Sequence, residues 1–319
     1  MKITVLGCGR WGSFQAWYAD RCGHEVLLWG RPDSRDRAKL QQTRKNRYLT
    51  LPDGVAVTDD LGAALAHSEV VVISISAQGL RQLAEQLNTF DLSGKAFLLC
   101  MKGMEQQSGK RLSQVMQEAI DQPVGVAVLV GPGHVQSYTA GIPGVMVIDS
   151  QDPALTRRLV EVFASDLIRL YIGTDLIGTE IGAAAKNVVG LAAGMLDGYG
   201  YESLKGPLMA RGAREVARLI GAMGGSERSA YGLCHLGDYE ATLFSPFSNN
   251  RTFGERFVKG EPFDRLAEGV YTVKAMLALS QAHGVELPIS QALYDIVYRQ
   301  ADPKQVLTGL FLRSIKQEF

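Results

Sequence analysis

Three glycines near the start of the chain are spaced as in a phosphate-binding turn. Gly7, Gly9 and Gly12 form the pattern GxGxxG directly after the apolar run 2–6. In such a turn the first glycine permits a tight bend, the second lets a pyrophosphate approach the backbone, and the third allows a helix to pack closely on a strand. The N–H groups at the start of that helix attract the anion. The pattern predicts dinucleotide binding, with a purely structural glycine turn as the alternative.

Residues inside this turn and after the second predicted strand bear on the choice of cofactor. Arg10 and Trp11 are candidate cofactor contacts, with simple packing as the alternative for Trp11. An acid at the end of the second strand would hold the ribose 2′-hydroxyl of NAD, but here the strand ends in Gly30 and Arg31. Gly30 leaves room for a 2′-phosphate, and Arg31 or Arg35 can pair with it. We therefore expect NAD or NADP, with NADP accepted.

The alternative for these cations is a solvated helix face. The basic residues that follow the second strand would then do no more than cover a helix over 33–46; they are Arg35, Arg37, Lys39, Arg44, Lys45 and Arg47.

A lysine stands within a row of evenly spaced glycines in the second half of the chain. Gly178, Gly182, Gly190 and Gly194 recur every four residues, and Lys186 occupies the missing step. Residues four apart share one helix face, so another backbone or a ligand can come close to this stripe. A glycine inside a helix costs about 1 kcal/mol relative to alanine, which implies a compensating gain. A partly buried lysine here suits proton donation to a carbonyl; a structural lysine paired with a carboxylate is the alternative.

Other polar residues are candidates for the same site. Asn187, beside Lys186, can hydrogen-bond a small polar substrate. Asp238 follows a Leu-Gly pair in a glycine-marked loop and is expected to position the lysine or a substrate hydroxyl. His134 and His235 also lie in loops, where we interpret them as surface or hydrogen-bonding residues rather than proton relays.

The elements that must position these residues follow from the apolar pattern. Short β-branched runs alternate with helical patterns through the first half, which is typical of a doubly wound parallel sheet. The predicted strands are 2–6, 25–29, 55–57, 69–75, 96–100, 124–130, 145–149 and 167–172. The predicted helices between them include 12–22, 33–46, 78–88, 108–120 and 153–164.

Helical patterns dominate after about residue 175. They cover 177–196, 206–222, 264–283, 290–300 and 303–316. The predicted fold class is therefore α/β: a Rossmann-like doubly wound sheet over 1–172, followed by an all-α domain over 173–319.

Composition excludes several other classes of protein. Of 319 residues, 46% are hydrophobic and 21% charged, which is ordinary for a folded globular chain. Lys+Arg and Asp+Glu both number 33, so the broad basic field of a general nucleic-acid binder is not expected. The four cysteines are scattered without metal-ligand spacing, so we expect reduced thiols and no metal site. The N-terminus reads as a strand rather than a signal peptide, and the apolar run 177–195 is too polar to span a membrane, so a cytoplasmic protein is expected.

Taken together, the ordered motifs resemble the bacterial-type NAD(P)-dependent glycerol-3-phosphate dehydrogenase family. The resemblance extends over nearly the whole chain. It includes GCGRWG at 7–12, LWG at 28–30, MKGME at 101–105, GP at 131–132, AKNVV at 185–189, AGMLDG at 193–198, LGD at 236–238, SNNRTFG at 248–254 and EGV at 268–270.

The resemblance implies an activity and a set of roles. The activity is reversible hydride transfer between NAD(P)H and dihydroxyacetone phosphate, which feeds glycerophospholipid synthesis, without a metal and usually in a homodimer formed through the helical domain. Lys186 would be the catalytic lysine with Asp238 in support, and Glu268 a cofactor-side residue. The implied substrate-binding residues are Lys102, Asn187, Thr242 and Asn250.

Departures from the family pattern keep two alternatives open. Asn249 stands where the family has an arginine that holds the substrate phosphate, and an amide does not replace a bidentate guanidinium. Arg251 is then a candidate to reach the phosphate instead, while Ser137 replaces a usual glutamate. The alternatives are a paralogous reductase of another hydroxy or keto compound, and a dinucleotide-binding regulator without turnover.

Overall fold

The first part of the chain forms one mixed sheet of eight strands. A computed structural model of the protein describes residues 1–312. The strand order is β3-β2-β1-β4-β5-β6-β7-β8. All neighbouring strands are parallel except β6 and β7, which pair antiparallel. The strands are β1 Lys2–Leu6, β2 Glu25–Trp29, β3 Ala56–Thr58, β4 Val70–Ile73, β5 Ala96–Leu99, β6 Gly125–Val130, β7 Gly144–Ser150 and β8 Ile168–Ile172.

Helices connect these strands and make up the regular structure of the second half. They are α1 Arg10–Arg21, α2 Arg35–Thr43, α3 Leu61–His67, α4 Leu80–Leu87, α5 Leu112–Ala119, α6 Val135–Thr139, α7 Pro153–Phe163, α8 Leu176–Gly198, α9 Lys205–Ala222, α10 Asn249–Lys259, α11 Glu268–His283, α12 Pro288–Arg299 and α13 Pro303–Phe311. Several begin at a capping signal: Asp152 accepts from the amide of Ala154, and Asp302 from that of Gln305, each followed by proline in the first turn.

The sheet is covered by apolar side chains on both faces. Successive residues of a strand point to opposite sides, and in β4 Val70 and Val72 join one buried cluster while Val71 and Ile73 join the other. All four are fully buried. This two-sided burial explains why the central strands read as continuous apolar runs, which are typical of parallel sheets.

The chain divides into two compact units. The first consists of Met1–Lys102 and Lys110–Glu180, and contains the sheet. The second consists of Gly103–Gly109 and the chain from Ile181 onwards. No strand occurs after Ile172 in the described part of the chain, where helices and short helical turns provide the regular structure.

The α/β fold class and its elements are confirmed. Every predicted strand is present, with ends that differ by at most a few residues. Three helices were not predicted, namely α3, α6 and α10. The predicted helix 303–316 corresponds to α13, Pro303–Phe311, and its last residues, 313–316, lie outside the described residues.

Candidate active site

The glycine turn between β1 and α1 has a backbone that only glycine fits. Gly7 has a φ of +122°, and a Cβ there would lie 2.1 Å from the carbonyl oxygen of Ser74. A Cβ on Gly12 would lie 1.8 Å from the carbonyl oxygen of Gly7. By contrast, Gly9, which caps α1, has no atom within 4 Å of its Cβ position. The turn is therefore tightly packed on two sides and open at Gly9, as a pyrophosphate-binding turn requires.

The end of β2 differs in detail from what the sequence suggested. Gly30 does not leave room for a ligand, because a Cβ there would meet Cys8 Sγ at 2.6 Å and Arg37 Cβ at 2.9 Å. Nor is Arg37 part of a solvated helix face: it is 9% exposed, and its guanidinium lies 3.2 Å from Asp59. Arg31, in contrast, is exposed, 3.6 Å from the equally exposed Asp33. Arg31 is thus accessible to a ribose phosphate, and so is the exposed Arg35 at the start of α2.

Lys102 follows β5 and is held by the glycine–proline loop after β6. Its Nζ donates to the carbonyl oxygen of Gly131 at 2.5 Å and lies 5.4 Å from the centroid of the Trp11 ring. That separation is within the range of a cation–π interaction. The sheet unit therefore brings Lys102 to Trp11 of the glycine turn, as the motif-based roles of these residues require.

The glycines of α8 allow close approach of other backbone, as their spacing predicted. A Cβ on Gly194 would lie 1.9 Å from the carbonyl oxygen of Arg251, and one on Gly254 would lie 2.1 Å from that of Leu191. Helices α8 and α10 thus cross with their backbones in contact. Gly190 is covered in the same way by Thr242 and Asn250, each within 3.5 Å of its Cβ position. The stripe brings polar side chains of other elements against the helix that carries Lys186.

Lys186 lies at the centre of a buried polar cluster. Its Nζ is 2.5 Å from Asp238 Oδ2 and donates to Thr242 Oγ1 at 2.8 Å. The side chains of Lys186 and Asp238 are 8% and 1% exposed. Asp238 ends a short 3₁₀ turn, and Thr242 lies on the π-helical turn that follows, Glu240–Phe244. Such single π turns are frequent at functional sites.

Two asparagines extend the cluster to the start of α11. Asn250 donates from Nδ2 to Asn187 Oδ1 at 2.9 Å, and its own Oδ1 accepts from the amide of Gly269 at 2.9 Å. Glu268 is the first residue of α11 and so directly precedes Gly269. The second unit therefore assembles all the predicted residues that it contains, with the exception of Arg251.

Arg251 lies in a network of ion pairs beside the cluster. Its guanidinium pairs with Asp197 at 2.6 Å and with Glu255 at 3.2 Å; its expected contact with a substrate phosphate stays a prediction. Asp197 also binds the Lys205 ammonium at 2.5 Å, and Lys205 in turn donates to the carbonyl of Leu243 at 3.1 Å. These two carboxylates bind the Arg251 guanidinium because α10 packs beside the C-terminal end of α8, where Asp197 lies. Arg251 fixes α10, the helix that carries Asn250.

His235 and Tyr239 form a buried pair on either side of Asp238 in the sequence. His235 Nδ1 lies 2.8 Å from the carbonyl oxygen of Gly182, one turn before Lys186, and its Nε2 lies 2.6 Å from the Tyr239 hydroxyl. Since a carbonyl only accepts, Nδ1 carries the proton and Nε2 accepts from Tyr239. Burial lowers the pKa of His235 to about 4, so the ring is neutral. The sequence reading placed His235 among hydrogen-bonding loop residues but gave no sign of this pairing.

Over residues 1–312, no helix is both long and apolar enough to cross a bilayer. In the same range, no three or more His, Cys, Asp or Glu side chains gather in an arrangement that could hold a metal ion.

The sheet unit, with its glycine turn open at Gly9, has the architecture of a dinucleotide-binding domain, and the helical unit adds a buried lysine–aspartate pair. Comparisons with known proteins agree with this class. The model of the NAD-dependent glycerol-3-phosphate dehydrogenase N-terminus matches residues 2–156, and that of the C-terminus matches residues 175–308.

Relatives match over the full length. A glycerol-3-phosphate dehydrogenase [NAD(P)+] of Pelodictyon phaeoclathratiforme is 36% identical, covering 100% of this chain and 99% of its own. That of Prosthecochloris aestuarii is also 36% identical, with 100% of both chains covered. The crystal structure of glycerol-3-phosphate dehydrogenase from Coxiella burnetii superimposes with a TM-score of 0.90 at 26% identity, over 98% of this chain and 99% of that one. The chain belongs to the NAD-dependent glycerol-3-phosphate dehydrogenase family, as its motifs predicted.

Proposed function

We propose that this chain is an NAD(P)-dependent glycerol-3-phosphate dehydrogenase, which transfers hydride reversibly between NAD(P)H and dihydroxyacetone phosphate. The observation that carries the proposal is the family match over both halves of the chain. The buried Lys186–Asp238 pair supports it, because carbonyl reduction needs a positioned proton donor.

The glycine turn fits the cofactor. Its open Gly9 and the N–H groups of the first turn of α1 suit a pyrophosphate, and the tight packing at Gly7 and Gly12 shapes the turn that presents them. We assign Arg10 and Trp11 to the same end of the cofactor, Arg31 to its adenosine ribose, and Glu268 to the cofactor side of the site. When bound, NAD(P)H supplies a hydride from C4 of its nicotinamide to the central carbon of the ketone.

Lys186 moves the proton that accompanies the hydride. As the ketone oxygen gains negative charge, the Lys186 ammonium donates a proton to it, and in the oxidation direction the amine takes that proton back. Asp238 and Thr242 hold Nζ from two directions, at 2.5 Å and 2.8 Å, and so fix its orientation. Asp238 also balances the positive charge in a site from which water is largely excluded.

The remaining polar residues orient the substrate. We assign Lys102, Asn187, Thr242 and Asn250 to substrate binding, with Lys102 supplying a positive charge for the phosphate. Asn187 and Asn250 are linked through their side-chain amides, so each limits the rotation of the other. Arg251 pairs with Asp197 and in this way holds α10, the helix that carries Asn250, in place.

The proposal extends to the compartment, the oligomeric state and the metabolic role of the enzyme. We propose that it acts in the cytoplasm as a homodimer, binds no nucleic acid, and supplies glycerol 3-phosphate to phospholipid synthesis. Cys8, Cys22, Cys100 and Cys234 are not joined in disulfides, which fits a reducing compartment.

A spectrophotometric assay tests the activity. Purified protein is mixed with NADPH or NADH and dihydroxyacetone phosphate, and the absorbance of the reduced cofactor is followed; unphosphorylated dihydroxyacetone is the control. We expect oxidation only with the phosphate. Oxidation only with the unphosphorylated ketone would instead support a paralogous reductase, and tight cofactor binding without any oxidation would support a regulator. The family match favours neither of these alternatives.

Asn249 allows a further check of the substrate. It lies beside Asn250, is partly exposed, and donates from Nδ2 to the carbonyl of Leu266 at 3.0 Å. Because arginine would add a positive charge and bidentate geometry, Asn249→Arg should lower the KM for dihydroxyacetone phosphate without giving activity on unphosphorylated dihydroxyacetone. An unchanged KM for dihydroxyacetone phosphate would remove this position from the phosphate site.

A further inference from the structure

We propose that Tyr138 is a positioning residue for Lys102: it anchors the glycine–proline loop whose carbonyl holds the Lys102 ammonium. The loop consists of Gly131, Pro132 and Gly133. The inference rests on the proposed function, because it takes Lys102 as a substrate contact. Tyr138 itself acts through the loop and is not assigned a contact with substrate.

Two neighbouring carbonyls of the loop receive one donor each. The carbonyl of Gly131 accepts from Lys102 Nζ at 2.5 Å, and that of Pro132 accepts from the Tyr138 hydroxyl at 2.8 Å. These carbonyl groups belong to consecutive peptide units, which are joined at the Cα atom of Pro132. Any movement of Pro132 is therefore passed directly to the oxygen that orients Lys102.

The loop depends on such an anchor because its backbone is unusual. Gly131 and Gly133 have φ angles of +143° and +136°, which residues with side chains rarely adopt. Neither glycine has a side chain with which to pack the loop in place. The hydroxyl of Tyr138, which is 2% exposed, provides a buried fixed point.

The space around Tyr138 is shaped to receive it. A Cβ on Gly133 would lie 2.3 Å from the Tyr138 hydroxyl oxygen, and one on Gly144 would lie 2.7 Å from the ring. Two glycines thus admit one large side chain beneath the loop.

A chain of aromatic rings also connects Tyr138 to Lys102, independently of the loop. The Tyr138 ring stacks on Phe14, with centroids 5.2 Å apart and planes at 21°. Phe14 meets the Trp11 ring edge-on at 5.4 Å, and Trp11 lies beneath the Lys102 ammonium. Lys102 is therefore positioned from two sides, by the loop and by Trp11, and both contacts lead back to Tyr138.

Tyr138→Phe tests the anchor. The substitution keeps the ring and its stacking but removes the hydrogen bond to Pro132. A hydrogen bond of this kind changes an equilibrium constant by about 5-fold on average. We expect the KM for dihydroxyacetone phosphate to rise roughly 3- to 10-fold, with kcat and the Kd for NADPH near those of the wild type. A residue that only stabilised the fold would lower the melting temperature and leave KM unchanged.

Tyr18→Phe is a closely matched control. Tyr18 stacks on Phe14 as well, with centroids 5.9 Å apart, and is 1% exposed. Its hydroxyl also donates to a backbone carbonyl, that of Phe163 at 2.5 Å, but this contact leads away from Lys102. We expect Tyr18→Phe to lower the melting temperature comparably without raising the KM.

A double-mutant cycle completes the experiment. In a Lys102→Ala background, Tyr138→Phe should have little further effect on KM, because the residue through which it acts is gone. Equal changes of KM in both tyrosine variants, no change in Tyr138→Phe, or full additivity with Lys102→Ala would overturn the inference while leaving the proposed function intact. A wild type that does not reduce dihydroxyacetone phosphate would overturn the proposed function, and the role of Lys102 with it.

Discussion

Lys186 combines a catalytic position with a structural ion pair. The sequence left two roles open for this lysine, a catalytic one and a structural one in which it pairs with a carboxylate. The structure shows that Lys186 Nζ lies 2.5 Å from Asp238. The two roles are compatible, since a proton donor in a buried site needs both charge balance and a fixed direction. Removing the lysine nevertheless leaves the buried charge of Asp238 without this partner, so stability must be measured together with activity.

For Lys186→Ala we expect turnover to fall by roughly 100- to 10,000-fold, with the Kd for NADPH nearly unchanged. The measurements are steady-state NADPH oxidation and fluorescence titration of NADPH. Lys186→Arg serves as the charge-retaining control and should restore the melting temperature more than the turnover. Wild-type turnover in the alanine variant would reject the assigned role.

His235 gives the protein a pH-dependent stability. Its pKa is lowered by burial from 6.5 to about 4 in the folded state, so between these values the unfolded chain binds a proton that the folded chain does not. The free energy of unfolding therefore rises with pH between about pH 4 and pH 6.5, and the contribution of His235 to it is lost on acidification through this range. Between pH 7.5 and pH 5 this one group accounts for about 2 kcal/mol.

Replacing His235 by Gln should reduce that pH dependence. The free energy of unfolding, measured by urea denaturation at pH 7.5 and pH 5, should fall on acidification by about 2 kcal/mol less than in the wild type. Neighbouring charges such as Lys186 and Asp238 are present in both proteins, so comparing the two pH differences isolates the histidine. Equal pH dependence would mean that His235 titrates in the folded state as it does in the unfolded chain.

At the scale of elements, the crossing of α8 and α10 is tightly constrained. Gly194 admits the carbonyl of Arg251 where any side chain would collide. We expect Gly194→Ala to destabilise the protein by about 3 kcal/mol, as overpacking of a tight contact does. Gly206 in α9 has no atom within 4 Å of its Cβ position, so Gly206→Ala should raise stability slightly, by up to about 0.5 kcal/mol.

Thermal denaturation of these two variants gives shifts of opposite sign. The pair is matched in chemistry, because each replaces a helical glycine by alanine, and only the contact at the crossing differs. A neutral Gly194→Ala would mean that α8 and α10 are not in backbone contact.

How well the sequence predicts an element depends on what the element buries. The central strands β1, β4, β5 and β6 were predicted because their apolar runs are almost wholly buried, whereas β3 and β8 are only partly buried and were predicted from their β-branched and apolar residues. Helix α10 was missed because its fully buried positions are Asn250 and Gly254, so it has no apolar periodicity to detect. The same residues fix its place in the fold, Gly254 by backbone contact and Asn250 by hydrogen bonds.

The candidate site was predictable to a similar extent. The spacing of the α8 glycines and the family motifs identified Lys186, Asp238, Asn187 and Asn250, which the structure brings into one cluster. The partners of Arg251 and His235 were not predictable, because an ion pair or a buried hydrogen bond between distant residues leaves no periodic signal in one sequence.

At the scale of the whole molecule, cofactor binding should be visible as added stability. A ligand that binds only the folded chain at 100 times its Kd contributes about 2.7 kcal/mol, so both NADPH and NADH should raise the melting temperature. Since Arg31 is an exposed cation close to the end of β2, Arg31→Ala should diminish the shift with NADPH and spare that with NADH. Arg157→Ala, an exposed arginine on α7, is the control and should change neither; equal losses with both cofactors would dissociate Arg31 from the 2′-phosphate.

The two units are interleaved along the chain, since the seven residues Gly103–Gly109 group with the helical unit although both flanking segments belong to the sheet unit. Neither unit can therefore be excised by a single cut: a fragment that ends at Glu180 retains a short segment whose packing partners have been removed. Chimaeras assembled from two relatives face the same constraint. A junction at Glu180 alone would combine this segment with a foreign helical unit, so an exchange of cofactor and substrate halves should carry residues 103–109 along with the helices that receive them.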